Sequence, residues 1–271
     1  RAAKSFASGR FDVRVPVIGD NEISELAMAF NNMASSLATI EETRSTFLAN
    51  VSHDLRTPMT TISGYIDGIL DGAIPPEKQS YYLSIVASEV RRLSRLVSSL
   101  LDISRIEAGE RKFNMQTFDI CEMARQVLIS FEARIEQKGL DVSFECDNER
   151  EYVIADKDAI HQILYNICDN AVKFSRDGGK YALKITENDK KIYVSVYNEG
   201  EGIAPDDLPH IFDRFYKGDK SRGRDKTGVG LGMYIAKTII DAHNESITVN
   251  SKRGQYCEFV FTLKKAAKQS Q

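Results

Sequence analysis

One histidine lies in a segment whose neighbours suit it to accept a phosphoryl group. His53 is followed directly by Asp54, and Thr57 comes one helical turn later, in the stretch SHDLRTP over 52–58. A neutral imidazole attacks phosphorus through one ring nitrogen when an acidic neighbour keeps the other nitrogen protonated, and Asp54 can be that neighbour. The Thr57 hydroxyl can orient a water for the reverse, hydrolytic reaction. The segment therefore predicts phosphoryl chemistry at His53.

Pro58 is the last residue of this segment. It lacks a backbone N–H and is expected to bend the helix that carries His53. A bend at this place would let the helix before it move relative to the helix after it. Movement of the helix is therefore expected to occur close to His53, where the phosphoryl chemistry is predicted.

A second polar cluster falls on one face of a predicted helix over 157–175. Asn166, Asn170 and Lys173 follow each other at four- and three-residue steps. The opposite face carries an apolar stripe of Ile160, Ile163, Leu164 and Ile167. Amide and phosphate oxygens suit Mg²⁺, and a lysine neutralises phosphate charge. The face therefore fits a polyphosphate with its magnesium.

Two glycine-containing segments flank a basic stretch further along. Residues 198–203 read NEGEGI, and residues 228–232 read GVGLG before a predicted helix, whose free amides and dipole favour an anionic phosphate. Between them, Phe212, Phe215 and Tyr216 precede KGDKSRGRDKTG, which has the composition of a flexible basic lid. A dinucleotide fingerprint would need glycine at Met233, and no Walker sequence occurs, so those two nucleotide folds are excluded.

The first 110 residues predict a long helical hairpin. Apolar positions at helical spacing run from Ile23 to Ile69, as one helix or as two in continuous phase, and a second stripe runs from Tyr82 to Leu101 after a break at 71–76. The second helix is expected to end near Gly109. Because such a hairpin has too little surface to cover its own stripes, we predict a homodimeric four-helix bundle.

The remainder predicts a two-layer α/β sandwich. Helices are expected over 118–138, 157–175 and 227–243, and strands over 141–146, 181–186, 191–200, 246–251 and 257–264. Near the start of the chain, residues 11–17 alternate as a strand does. The fold class is therefore multidomain, with an all-α hairpin followed by an α+β domain.

Composition narrows the function further. The 271 residues carry a formal net charge of −3, which argues against a nucleic acid partner. The four cysteines, Cys121, Cys146, Cys168 and Cys257, show no metal or disulfide spacing, so a reducing compartment is expected. No apolar run reaches the roughly 18 to 20 residues that span a bilayer, and Arg1 in place of an initiator methionine indicates a piece of a longer protein.

The stretch SHDLRTP resembles the phosphoacceptor box of the HisKA-type sensor histidine kinases of two-component systems. The segment around Asn166 and Asn170 is similar to the ATP-binding domain that these kinases share with Hsp90, MutL and type II topoisomerases, and residues 7–34 resemble the second half of a HAMP module. The resemblance implies a partial HAMP module over 1–42, a dimerisation and phosphotransfer hairpin over 43–109, an ATP-binding domain over 110–267 and a tail over 268–271.

The resemblance also implies residue roles. His53 would accept the phosphoryl group of Mg-ATP and pass it to an aspartate of a response regulator receiver domain. Asp54 would assist the kinase step, and Asp54 with Thr57 would act in a phosphatase reaction on that regulator. Asn170 would bind Mg²⁺. The implied nucleotide-binding residues are Asn166, Asn170, Lys173, Asn198, Gly200, Gly202, Ile203, Phe212, Tyr216, Lys217, Gly228, Gly230, Leu231 and Gly232.

One position departs from the family pattern. Asn198 stands where the family usually has an aspartate that accepts a hydrogen bond from the adenine amino group. An amide oxygen can accept the same bond, so adenine recognition is expected without the charge. The last glycine segment, ending at Cys257, also lacks the family's small hydroxyl residues, and we interpret Cys257 as structural.

Two other interpretations stay open. The first is an ATPase of the same nucleotide fold that uses water as the acceptor, although the histidine segment on a dimerising hairpin argues against it. The second is a non-enzymatic dimeric signalling scaffold with a weakened nucleotide site, for which Asn198 is the support. The HAMP resemblance implies the cytoplasmic portion of an inner or plasma membrane protein of a prokaryote, joined to the membrane through segments missing from this chain.

Overall fold

The computed structural model describes residues 6–7, 9–19, 21–188, 190–216 and 230–266. The chain divides into two compact units, residues 1–90 and residues 91–271. The first is helical. The second contains the sheets.

The first long helix, α1, runs from Glu22 to Leu70 without interruption and is 49 residues long. It begins where the Asn21 side chain accepts a hydrogen bond from the Ser24 N–H at 3.2 Å, which satisfies a free amide of the first turn. It ends at Asp71, and the next residue, Gly72, has a φ of +73°. Pro58 lies inside α1 and is buried. The bend at Pro58 stays a prediction.

The strand expected over 11–17 is wrong: the described residues 9–19 contain none. The side chain of Asn31, on α1, takes the place of a neighbouring strand. Its Oδ1 accepts from the Val15 N–H and its Nδ2 donates to the Val15 carbonyl, both at 2.8 Å. The backbone N–H and carbonyl of Val15 are therefore both hydrogen-bonded by one side-chain amide. Alternation in the sequence does not reveal such a pairing.

The second helix, α2, runs from Pro76 to Glu107. A proline suits the first turn of a helix, where its missing N–H would have no partner. Within the first unit, the chain folds back so that the rings of Tyr65 and Tyr82 lie 4.9 Å apart. After α2, Gly109 takes a φ of +68°. The helical hairpin and its two ends are confirmed.

The second unit is built on a five-stranded sheet of order β2-β4-β5-β7-β6. Its strands are β2 (Asp141–Cys146), β4 (Lys180–Asn188), β5 (Lys191–Glu199), β6 (Ile247–Lys252) and β7 (Tyr256–Lys264). The β2·β4 pair is parallel and the other three pairs are antiparallel. A separate antiparallel pair joins β1 (Met115–Asp119) to β3 (Tyr152–Asp156).

Helices cover one face of the large sheet, as predicted. Four are described in this part of the chain: α3 (Ile120–Ile129), α4 (Glu132–Lys138), α5 (Lys157–Phe174) and α6 (Gly232–Ala242), with a short 3₁₀ helix over Leu208–His210. The apolar stripe of α5 is fully buried, and α5 packs against α3, α6 and β5. Alternate residues of β5 are buried on the same side. The two-layer α/β architecture is confirmed.

The single helix predicted over 118–138 is wrong in its boundaries. Residues 118 and 119 end β1, and the helical part is divided into α3 and α4 by a turn at Ser130 and Phe131. Asp119 caps α3 by accepting a hydrogen bond from the Cys121 N–H at 3.0 Å. The ring of Phe131 is buried. A β1·β3 pair between residues about 40 positions apart gives no local signal, so neither strand was predicted.

Candidate functional site

His53 is exposed on α1 and paired with its neighbour. Its side chain is 79% exposed, that of Asp54 is 19% exposed, and the ring Nδ1 lies 3.3 Å from Asp54 Oδ1. A proton held on Nδ1 by this carboxylate leaves the lone pair on Nε2. The arrangement therefore offers Nε2 to an incoming electrophile, as the sequence suggested.

The hydroxyl of Thr57 has a backbone partner. Thr57 Oγ1 donates to the His53 carbonyl at 3.2 Å, the common helical bond of a threonine to the residue four positions earlier. The hydroxyl proton is therefore already donated to the backbone, and the oxygen can only accept a hydrogen bond from a water. This geometry is compatible with orienting a nucleophilic water but adds no base.

The polar face of α5 lies in the second unit. Asp156 caps the start of α5: its carboxylate accepts from the Ala159 N–H at 2.9 Å and from the Asn114 N–H at 2.8 Å. Partial burial opposes ionisation, but these backbone hydrogen bonds outweigh it and lower the pKa of Asp156. Asn166 and Asn170 are half-buried on this face. The helix is thus fixed at its start, and its amides lie at the edge of the core.

The start of α6 lies against this face. Asn166 Nδ2 donates to the Gly232 carbonyl at 3.4 Å, and Leu231 is 2% exposed. A Cβ on Gly232 would come within 3.7 Å of Asn166 Cγ. The structure therefore brings together two segments that are more than 60 residues apart in the chain.

Gly230, just before α6, lies close to the backbone of Phe215 and Tyr216. It has a φ of +73°, and a Cβ there would lie 2.8 Å from the Phe215 carbonyl carbon and 2.9 Å from the Tyr216 carbonyl oxygen. Only glycine combines this φ with so close a backbone approach. Lys217 and Gly228, which the sequence also implied at the site, lie outside the described residues.

The end of β5 supplies the other side of the site. Asn198 is 3% exposed, and its Nδ2 is buried and has no hydrogen-bond partner in the part of the chain that the structure describes. Two residues later, Gly200 passes so close to the end of α5 that a Cβ there would lie 2.1 Å from the Phe174 carbonyl oxygen. Phe174 follows Lys173, whose Nζ lies 5.4 Å from the Phe174 ring centroid. The Asn198 and Lys173 segments are therefore neighbours.

The acidic residue beside Asn198 is bound elsewhere. Glu199 accepts from Arg176 Nη2 at 2.6 Å and from the Lys180 N–H at 3.3 Å. The hydrogen bond from the Lys180 N–H lowers the pKa of Glu199 most; burial opposes it, and the Arg176 contact adds to the lowering. Its charge is therefore neutralised at the β4 side of the turn.

The loop after β5 is held by the strand β6. The Ile203 N–H donates to Ser251 Oγ at 2.8 Å, and Ser251 in turn donates to the Tyr256 carbonyl at 2.7 Å. Gly202 has a φ of +58°, and a Cβ there would lie 2.3 Å from the Lys252 carbonyl oxygen. This conformation of the loop therefore depends on glycine, which has no side chain to meet the neighbouring backbone.

We expect Gly202→Ala to destabilise the second unit strongly. Gly254→Ala is the matched control, because Gly254 also has a positive φ, +78°, but open space around it. The left-handed backbone should cost each variant about 1–2 kcal/mol, and the Lys252 contact should add about 1–3 kcal/mol for Gly202 alone. Urea unfolding measures both; equal losses would contradict the close packing described.

The segment that holds Phe212, Phe215 and Tyr216 is positioned by two contacts. The rings of Phe212 and Phe259 meet edge to face at 6.3 Å, and the Tyr216 hydroxyl donates to the Asp207 carboxylate. Phe212 is therefore a packing residue as much as a site residue. Asp207 and Ser251, which hold Tyr216 and Ile203, were not predicted. Both act across elements that the sequence does not show to be neighbours.

The donor set suits a magnesium nucleotide. In the described part of the chain, no three His, Cys, Asp or Glu side chains are grouped to hold a metal. A cation here would therefore take most of its ligands from phosphate and water, as Mg²⁺ does, with one amide oxygen from the protein. The unpartnered, buried Asn198 amide fits a ligand that presents hydrogen-bonding groups. The residues present fit Mg-ATP.

Three family models match the chain. The model described as histidine kinase-, DNA gyrase B- and HSP90-like ATPase matches residues 155–267, the His Kinase A (phospho-acceptor) domain matches residues 43–109, and the HAMP domain matches residues 1–39. Together they leave only short stretches unmatched, apart from residues 110–154.

Named relatives agree with the models. Sensor protein SrrB of Staphylococcus aureus is 36% identical over 227 residues, 83% of this chain and 39% of the relative. The chain thus spans about two fifths of the length of the curated relatives it matches. Histidine kinase AdeS of Acinetobacter baumannii has a TM-score of 0.65 at 27% identity, over 79% of this chain and 98% of that structure.

Histidine kinase ThkA is similar in two structures. Its catalytic domain is 30% identical with a TM-score of 0.51, over 56% of this chain and 97% of that one. Its complex with response regulator protein TrrA gives 27% identity and a TM-score of 0.63, over 82% of this chain and 62% of that chain. This chain belongs to the sensor histidine kinases of two-component systems. The resemblance noted from the sequence is confirmed.

Among the described residues, no helix combines the length and apolar character needed to cross a bilayer.

Proposed function

We propose that this chain is an ATP-dependent protein-histidine kinase that phosphorylates His53 and passes the phosphoryl group to a response regulator aspartate. The observation that carries the proposal is the exposed His53 ring with Asp54 at Nδ1, in the same chain as a domain whose glycines and amides fit Mg-ATP. Family membership supports both halves.

The chemistry at His53 follows from its pairing. Asp54 keeps the proton on Nδ1, so Nε2 attacks the γ-phosphorus, and the bond between that phosphorus and the leaving oxygen of ADP breaks. The carboxylate then stabilises the positive charge that the ring acquires. In a phosphatase reaction, Asp54 and Thr57 would orient a water that attacks the phosphorus of the regulator's phosphoaspartate, breaking its bond to the aspartate oxygen and releasing inorganic phosphate.

The nucleotide is held by the second unit. Asn170 would supply an oxygen to Mg²⁺, Asn166 supports the phosphates, and Lys173 offsets their charge. Gly230 and Gly232 would bring backbone amides to the phosphates at the start of α6. Phe212 and Tyr216 would lie beside the nucleotide; Gly228 and Lys217, which the sequence also implied, lie outside the described residues. Lys173 would offset the charge of a loose transition state, and Mg²⁺, when bound, would add its positive charge there.

Labelling with γ-³²P ATP and Mg²⁺ tests the proposal. The full chain should incorporate acid-labile, alkali-stable label, as a phosphohistidine does, and should pass it to a receiver domain. Release of phosphate without protein label would favour the ATPase that uses water. Absence of Mg-ATP binding would favour the non-enzymatic scaffold. Either result contradicts the kinase proposal.

A response regulator is the proposed partner. The support is a similar structure, ThkA, which is seen in complex with response regulator protein TrrA. An open surface of α1 extends along the helix beside His53 and is lined by residues from Ser52 to Asp67, among them the exposed Met59. A partner that takes phosphate from His53 would have to approach this part of α1.

We further propose a homodimer. Large apolar residues on α1 are exposed at positions three or seven residues apart: Ile23 by 75%, Leu26 by 70%, Met33 by 48% and Ile40 by 60%. This heptad spacing is the seam of a coiled coil. A stripe of this length is stable in water only when covered, and a second copy presents the same seam.

We expect Ile40→Asp to weaken the dimer by at least tenfold in dissociation constant, since it places a charge in the seam. Thr39→Asp is the matched control: Thr39 is exposed on α1 but outside the stripe. Analytical ultracentrifugation of both variants gives the constants. Dimers of equal strength in the two variants would be inconsistent with a seam on this face.

The domain limits and setting follow the same proposal. Residues 1–42 would form a partial HAMP module, residues 43–109 the dimerisation and phosphotransfer hairpin, and residues 110–267 the ATP-binding domain, with a short tail. Because HAMP modules follow transmembrane helices in receptors, we place this chain on the cytoplasmic side of a prokaryotic membrane protein. Its full length would then hold the sensor, which the curated relatives' greater length supports.

A further inference from the structure

A buried amide without a hydrogen-bond partner in the described part of the chain lies opposite a buried tyrosine on the neighbouring strand. Asn198, 3% exposed, lies directly opposite Tyr181, which is fully buried, in the β4·β5 pair. Among the residues that the structure describes, Asn198 Nδ2 has no hydrogen-bond partner. Burial, with the neighbouring Cys168 thiol, raises the pKa of Tyr181 well above its ordinary value, so the hydroxyl stays neutral. An N–H buried without a partner is costly, so this amide is expected to meet a ligand.

The position of Asn198 indicates which part of a ligand it meets. It ends the buried face of β5, two residues before Gly200, whose backbone touches the end of α5 at Phe174. The charged neighbour Glu199 is bound by Arg176. Asn198 therefore offers an uncharged amide, at a buried strand end, to the uncharged part of a nucleotide: its base.

An amide and a carboxylate read a purine differently. A carboxylate only accepts hydrogen bonds, whereas an amide has an acceptor and a donor that exchange places when the group turns over. Adenine presents an amino donor at position 6 beside the N1 acceptor. A 6-oxopurine, such as hypoxanthine, presents an oxygen acceptor beside an N1–H donor. A carboxylate would repel that oxygen, but an amide can pair with either edge.

We propose that Asn198 admits 6-oxopurine nucleoside triphosphates to this site alongside ATP. The inference rests on the proposed function, because it names a second class of phosphoryl donor for the same site. Asn198 would then determine base specificity, because its neutral amide does not repel a 6-oxo group as a carboxylate would.

Calorimetric binding of Mg-ATP and Mg-ITP to the full chain and to Asn198→Asp tests the inference. In the unmodified chain, the dissociation constant for ITP should be within tenfold of that for ATP. In the variant, the ratio of the two constants should rise at least tenfold against ITP, because the carboxylate faces the 6-oxo oxygen. A wild-type ratio above tenfold, or a ratio that the variant leaves unchanged, overturns the inference.

The two proposals fail in distinguishable ways. If ATP labels His53 while ITP is rejected by more than tenfold, the kinase stands and only the base inference falls. If neither nucleotide binds the unmodified chain, both fall. Circular dichroism shows whether Asn198→Asp folds; if it does not, the wild-type ratio decides alone.

Discussion

Replacing His53 by glutamine is expected to reduce acid-labile label from γ-³²P ATP to background. Glutamine has about the size of histidine, but its amide nitrogen is not a nucleophile, so no phosphorus–nitrogen bond forms. Because the His53 side chain is 79% exposed, the substitution removes little packing and should leave the helix intact. The expected loss is therefore chemical. Label retained at half the wild-type level or more would show that His53 is not the acceptor.

His161→Gln is the matched control for this experiment. His161 is also exposed on a helix, α5, and its ring stacks loosely on Tyr165 at 6.5 Å. It has no carboxylate neighbour of the kind that Asp54 is to His53. We expect this variant to incorporate label at the wild-type rate, so a loss in both variants would indicate a general effect of histidine removal.

Replacing Asn170 by alanine is expected to weaken Mg-ATP binding about 100-fold. Removing a ligand to a charged centre costs about 3 kcal/mol, and each 1.4 kcal/mol is tenfold in affinity. Asn170 is half-buried on the polar face of α5, one turn after Asn166, and alanine is a better helix former than asparagine. The stability of the second unit should therefore be unchanged or slightly higher while affinity falls.

Calorimetry with and without Mg²⁺ separates the metal from the nucleotide. The wild-type chain should bind ATP far more weakly when Mg²⁺ is replaced by EDTA, whereas the variant should show little difference between the two conditions. Asn250→Ala, at an exposed position of β6, is the control and should bind as the wild type does. An Asn170 variant that keeps its full magnesium dependence would assign the metal to another ligand.

Local patterns predicted the elements that carry the chemistry. The α5 stripe and its polar face follow from spacing alone, because burial of Ile160, Ile163 and Ile167 fixes which way Asn166 and Asn170 point. The hairpin was equally readable, since α1 and α2 are long and periodic and the turn at Gly72 is marked by composition. The periodic spacing of apolar residues in a long amphipathic helix lies within the helix itself, so the sequence alone shows it.

Pairings between distant segments were not readable. The β1·β3 pair was missed, and the helix expected over 118–138 is divided, because the pairing of Phe118 with Val153 competes with local helix propensity. The extended segment at Val15 was mistaken for a strand, since its partner is a side chain, Asn31. The roles of Ser251 and Asp207 likewise depend on contacts between elements.

The sequence by itself determined the family and supplied the proposals that His53 is the acceptor and that the polar face of α5 meets a magnesium nucleotide. These depend on short motifs in which neighbouring residues act together, such as His53 with Asp54. Only the tertiary structure decided how the glycines are used and that Asn198 is buried with an unpartnered amide opposite Tyr181. The reason is physical: burial and hydrogen-bond satisfaction depend on which strands and helices meet, and that is a property of the whole fold.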